Sequence, residues 1–172
     1  TSPESIRNGL IDARKIFGQE RICINCAGIA PAMKTVSRGG AHDSELFSNV
    51  ISVNLLGSFF VASQSASGMS NAEEINKDGE RGIIINTSSI AAFDGQIGQA
   101  AYAASKGGVA SLTLPMARDL SSKGIRVVSI APGVFETPML EAMPKEIQHN
   151  ISSQIPFPNR LGKPEEFAFL IK

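Results

Sequence analysis

Apolar positions along this chain switch between two spacings. Ile6, Leu10, Ala13 and Phe17 fall at i, i+4, i+7 and i+11, one stripe of an amphipathic helix over 3–17. Thr1 or Ser2 can cap it, Pro3 suits its first turn, Glu4 sits at the positive end of its dipole, and Gly18 ends it. Residues 21–26 then read as a strand that closes on Asn25-Cys26-Ala27-Gly28, where small residues let a ligand approach the backbone. Residues 29–42 read as loop. Asp43 or Ser44 can cap a long helix to about Gly68, with Leu46, Val50, Val53 and Phe60 on its buried stripe. The polar stretch 70–81 turns at Asp78-Gly79 as a solvated loop.

The β-branched run Ile83-Ile84-Ile85 marks a strand over 82–87. A helix follows from about Ala100 to Ser122, bent by Pro115. Gly107-Gly108 inside it cost roughly 1 kcal/mol each against alanine, which implies close packing, a second subunit being one source. Gly124 ends that helix and 125–130 is the next strand. Residues 134–163 are loop-rich with a short helix near 145–152, and Pro164 starts a final helix.

Strands alternating with helices predict an α/β chain with a parallel sheet and right-handed crossovers. Small and polar residues gather after each strand, at Asn25–Gly28, Thr87–Ser89 and Pro132–Thr137. In open α/β sheets ligands bind outside those carboxyl ends. The 172 residues suit one domain. Lys+Arg and Asp+Glu both number 16, so no charge excess points to nucleic acid. Apolar runs are broken by glycine or polar residues, and no membrane span is expected. Cys23 and Cys26 form a C-x-x-C, but three residues apart on a strand they face opposite ways; two buried thiols, with no metal site, is the expectation.

The chemistry gathers in NTSSIAAFDGQIGQAAYAASKGG, residues 86–108. Tyr102 and Lys106 are an i,i+4 pair on one helix face. A phenol titrates near 10, too high for a base at neutral pH, and a nearby ammonium should lower it. Ser89, at a strand end, can hydrogen-bond the same substrate oxygen. The pair alone is a weak signal, since helices carry that spacing by chance. Asn54 lies inside the long helix, where two readings stay open: a tolerated surface amide, or a polar group aimed at a site and holding a water.

Taken together, Asn25-Cys26-Ala27-Gly28, Asn54, Ser89, Tyr102, Lys106 and Pro132-Gly133 resemble the short-chain dehydrogenase/reductase family over nearly the whole chain. The resemblance implies a Rossmann-like doubly wound sheet and hydride transfer between NAD(H) and a secondary alcohol or ketone. It implies Tyr102 as general acid/base, Lys106 lowering its pKa and binding the nicotinamide ribose, Ser89 positioning substrate, and Asn54 holding a water in a proton relay. Asn25, Cys26, Ala27 and Gly28 would line the cofactor with Tyr102 and Lys106. Pro132, Gly133, Phe135 and Thr137 would meet its carboxamide end, and Gln96 would face substrate.

The 85–108, 114–127 and 131–140 segments are similar to a mitochondrial subgroup acting on 3-hydroxyacyl-CoA and hydroxysteroids, which implies those substrate classes, a homotetramer and the mitochondrial matrix. A cytoplasmic enzyme of other secondary alcohols and a non-catalytic scaffold subunit are the alternatives. The family's glycine-rich TGxxxGxG turn and its cofactor-selecting acidic residue are not in this sequence. The expectation is therefore a partial domain over 1–172, holding strands 4, 5 and 6 of the family sheet. Alone it is expected to be inactive, and insoluble or molten.

Overall fold

The computed structural model describes residues 1–141 and 143–172. They form two compact units, Thr1–Ala131 and Pro132–Lys172.

In the first unit, helix α1 (Pro3–Phe17) is capped by the Ser2 hydroxyl, which accepts from Ser5 N–H, and ends at Gly18. Its stripe is shallower than the periodicity predicts. Ile6 and Leu10 are half-buried, whereas Ala13 and Phe17 are exposed. Arg14 instead anchors the helix, forking onto Glu20 and reaching the Gln64 carbonyl.

Strand β1 (Ile22–Asn25) alternates exposed and buried residues. The expected loop after it contains a small hairpin, β2 (Val36–Ser37) with β3 (Gly40–Ala41), too short to leave a sequence period. Asp43 caps α2 (Ser44–Ile51), accepting from the N–H groups of Glu45 and Leu46. A wide π-helical turn, Ser52–Leu56, joins it without a break to α3 (Gly57–Met69). Among the described residues, Ser44–Met69 is a helical stretch long and apolar enough to cross a membrane by length and composition. Asn54, Gly57 and Ser58 break the stretch into shorter apolar runs, which is why no membrane span is expected from any one of them. Here α3 packs against β1 and the next strand, β4 (Gly82–Thr87), burying Ala62, Ser65, Ala66 and Met69.

The long helix α4 (Ala100–Ser121) accommodates Pro115 and packs on β4 and β5 (Ile125–Ile130). The strands run parallel in the order β1-β4-β5, in register from Ile22↔Ile83 to Thr87↔Ile130. Cys23, Ile84, Ile125 and Val127 face Ala62, Ala66, Met69 and Met116 to form the core. On the opposite sheet face the outer-strand residues Ile22, Ile24 and Val128 are open to solvent, at 60%, 43% and 38% exposed, while Ile85 between them on β4 is buried.

The second unit holds α5 (Pro138–Glu141), α6 (Lys145–Ser153) and α7 (Pro164–Ile171). Phe135 pairs with Gly162 as an isolated bridge and packs edge-on against Phe167. Arg160 forks onto Glu166 in the first turn of α7. That contact and the Lys163 N–H hold the Glu166 carboxyl down to about 2.

Candidate active site

The carboxyl ends of β1 and β4 and the first turns of α4 meet at one rim. Strand β4 runs out at Thr87, and Ser88 continues it by donating its N–H to the Ile130 carbonyl. The Ser88 hydroxyl donates to the Lys106 carbonyl at 2.8 Å, tying the strand end to α4. Ser89 then caps a short turn, Ile90–Ala92, its oxygen accepting from Ala91 N–H at 3.1 Å. That oxygen keeps its own proton to give, and it lies near enough to Tyr102 to draw the phenol pKa down.

Tyr102 and Lys106 stand one helical turn apart, with Nζ 5.7 Å from the phenol ring centroid. Lys106 is 5% exposed, and its ammonium donates to the Thr87 carbonyl at 2.7 Å. Burial pushes its pKa down, against the pull of nearby Cys26. Proximity to this ammonium predicts a lowered phenol pKa, but the net direction is the opposite. Burial pushes Tyr102 up, and the offsetting pull comes from Ser89. The reason is geometric: Nζ is drawn to Thr87 and lies over the ring rather than bonded to the phenol oxygen.

Asn54 is fully buried, which resolves the two sequence readings against a surface amide. Its position in the π-helical turn aims it at the end of β1. Nδ2 donates to the Ile29 carbonyl at 2.9 Å and to Ser105 Oγ at 3.0 Å, while Oδ1 accepts from Ile29 N–H at 2.8 Å. The amide thus grips the turn after β1 by both backbone groups of one residue.

In that turn, Gly28 leaves a gap where a Cβ would stand 3.2 Å from Asn54 Oδ1 and 3.6 Å from Lys106 Nζ. Asn25 lies beneath it, donating to Asn86 Oδ1 at 2.8 Å. Ala27 and Cys26 are exposed on the turn. The expectation of two buried thiols therefore holds for Cys23 alone. Cys26 follows buried Asn25 and keeps the alternation, on the side shared with exposed Ile22 and Ile24, with Thr87 Oγ1 3.6 Å from its sulfur. Gln96 is exposed on the loop before α4, its N–H bonded to Gln99 Oε1. Pro132, Gly133, Phe135 and Thr137 belong to the second unit, where the Thr137 carbonyl opens α5 by accepting from Leu140 and Glu141.

Sequence reasoning missed Ser88, Ser105 and Asn86. Ser105 lies i+3 from Tyr102, so its inward face was readable; its partner Asn54, 51 residues earlier, was not.

Lys106 and Gly28 are the residues here that could hold a cofactor's ribose. Among the described residues, Lys106 Nζ spends one of its three N–H donors, on Thr87, and the gap above Gly28 opens beside the others.

Comparison with known proteins agrees with this geometry. The family model described as short chain dehydrogenase matches residues 1–148. The chain is 50% identical to a 3-hydroxyacyl-CoA dehydrogenase type-2 of Drosophila melanogaster, over all of this chain and 68% of that one. It is 48% identical to the protein of the same name in Homo sapiens, over 66% of that chain. The crystal structure of 3-hydroxyacyl-CoA dehydrogenase type-2 from Mycobacterium avium superposes with a TM-score of 0.89 at 42% identity, covering 98% of this chain and 66% of that one. The chain thus spans about two thirds of the length of these relatives. On sequence and fold together, the chain belongs to the short-chain dehydrogenase family.

Proposed function

We propose that this chain carries the proton-handling half of an NAD(H)-dependent oxidoreductase acting on 3-hydroxyacyl-CoA. The single observation behind the reading is the meeting of Ser89, Tyr102 and Lys106 at one sheet rim beside the Gly28 gap. The substrate class comes from the names of relatives at about half identity. The mitochondrial matrix and a homotetrameric whole protein are part of this proposal on the subgroup resemblance of the 85–108, 114–127 and 131–140 segments.

When bound, the nicotinamide supplies the hydride acceptor or donor at C4. In the oxidative direction Tyr102 Oη takes the proton of the substrate hydroxyl as the carbon gives up its hydride. In the reductive direction Oη returns that proton to the forming alkoxide. Ser89 donates to the same substrate oxygen, which its Ala91 contact leaves it free to do. Lys106 uses its remaining donors on the ribose and places positive charge over the ring that becomes phenolate. Asn54 and Gly28 keep the turn after β1 open for the dinucleotide. Pro132, Gly133, Phe135 and Thr137 serve the carboxamide end, and Gln96 the substrate.

The test is Tyr102→Phe in a full-length protein containing this chain, with turnover of a 3-hydroxyacyl-CoA and NADH affinity both measured. We expect turnover to fall by more than about 100-fold, roughly 3 kcal/mol of transition-state stabilisation, with NADH affinity little changed. Surviving turnover above about 1% would remove Tyr102 from the acid/base role.

A further inference from the structure

We infer that Ser105 is a positioning residue: its hydroxyl locks the Asn54 amide in the one orientation that clamps the Gly28–Ile29 turn beside Lys106. The hydrogen bonds fix the roles of every atom. Ser105 Oγ donates its single proton to the Tyr102 carbonyl at 2.7 Å. It therefore meets Asn54 only as an acceptor, at 3.0 Å from Nδ2. Were the amide flipped, Oδ1 would face an oxygen with no proton left and would also face the Ile29 carbonyl. Both contacts would be repulsive, in a place where Asn54 and Ser105 are each 0% exposed. One orientation survives, and it leaves Oδ1 holding Ile29 N–H and bordering the Gly28 gap.

A chain of contacts thus runs from the Tyr102 carbonyl through Ser105 and Asn54 to the turn that faces the dinucleotide. It links the helix bearing the acid/base to the strand end that shapes the cofactor's seat. Asn54's side-chain donors are both taken by protein groups. Its side chain thereby acts as a bracket on the backbone of the turn. The inference rests on the proposed dinucleotide chemistry only for its effect on affinity; the clamp itself is read without turnover.

The experiment compares wild type, Ser105→Ala, Asn54→Ala and the double variant in the full-length protein. Amide hydrogen exchange at Ile29 is measured against the β4 amides of Ile84 and Ile85, and NADH affinity is measured by direct titration. We expect Ser105→Ala to speed exchange at Ile29 by at least about tenfold while the β4 amides keep their protection, and to weaken NADH binding about five- to tenfold. The double variant should match Asn54→Ala alone, because Ser105 acts through Asn54. Unchanged exchange at Ile29, or effects that add in the double variant, would overturn the clamp. Should Ser105→Ala not fold, Ser105→Cys keeps the volume with a weaker acceptor, and the same exchange comparison decides. A wild type that binds neither NADH nor NADPH would count against the functional reading, while exchange at Ile29 would still judge the clamp.

Discussion

Tyr102 is the only tyrosine of a chain that has no tryptophan. In these 172 residues its ionisation can therefore be watched alone, by phenolate absorbance. Burial raises its pKa and the nearby Ser89 hydroxyl pulls it back. The expected titration midpoint lies above the ordinary phenol value of about 10. Ser89→Ala should move it higher still, because the group favouring the phenolate is gone. The sign for stability follows. A pKa raised on folding gives a contribution present below the unfolded value of about 10 and lost as pH rises through the folded one. A midpoint at or below that of free tyrosine, or a Ser89→Ala shift downward, would contradict the burial account. Adding dinucleotide should lower the midpoint if it draws Lys106 off Thr87 toward the phenol.

At the scale of elements, capping residues and glycines did most of what the sequence reading asked of them. Ser2 and Asp43 cap α1 and α2 as expected, each worth about 1 kcal/mol. Gly124, where α4 hands over to β5, has φ of +66°, and a Cβ there would collide with the Gly79 carbonyl of the charged loop. The Arg81 N–H donates to the Gly124 carbonyl at 2.6 Å in the same place. Gly124→Ala is expected to cost roughly 2–3 kcal/mol by urea unfolding, since both the left-handed backbone and the contact forbid it. A loss under about 0.5 kcal/mol would mean the loop yields freely. Gly108 meets the expected close packing within this chain. A Cβ there would press on Leu55 Cδ2 at 2.8 Å, so this chain's own π-helical turn explains the glycine without a second subunit. Gly107 has no comparable crowding.

At the scale of the whole molecule, a parallel sheet is normally covered on both faces. Here the helices bury one face, and Ile22, Ile24 and Val128 on the other meet solvent. The 172-residue chain expressed by itself should therefore self-associate and bind a hydrophobic dye. Ile24→Lys with Val128→Lys should raise the monomeric share in size-exclusion chromatography without lowering the melting temperature by more than a few degrees. No gain in monomer would place the sticky surface elsewhere, for instance at exposed Phe169 and Leu170 in the second unit.

Much of this was legible one residue at a time. The three strands, the long helices and the Ser89, Tyr102 and Lys106 set could be read because they rest on local order: β-branched runs, caps, turn glycines and an i,i+4 spacing. What could not be read depends on partners far along the chain. Burial at Asn54 follows from a π-helical turn and from Ile29 and Ser105, 25 and 51 residues away. The direction of the Tyr102 pKa follows from how deeply the helix settles on the sheet, and Lys106's leaning to Thr87 from where β4 ends. A sequence specifies which groups are present and their nearest neighbours. Desolvation and the choice among competing hydrogen-bond partners are set only when distant segments close on one another, and those two quantities decide what the groups can do.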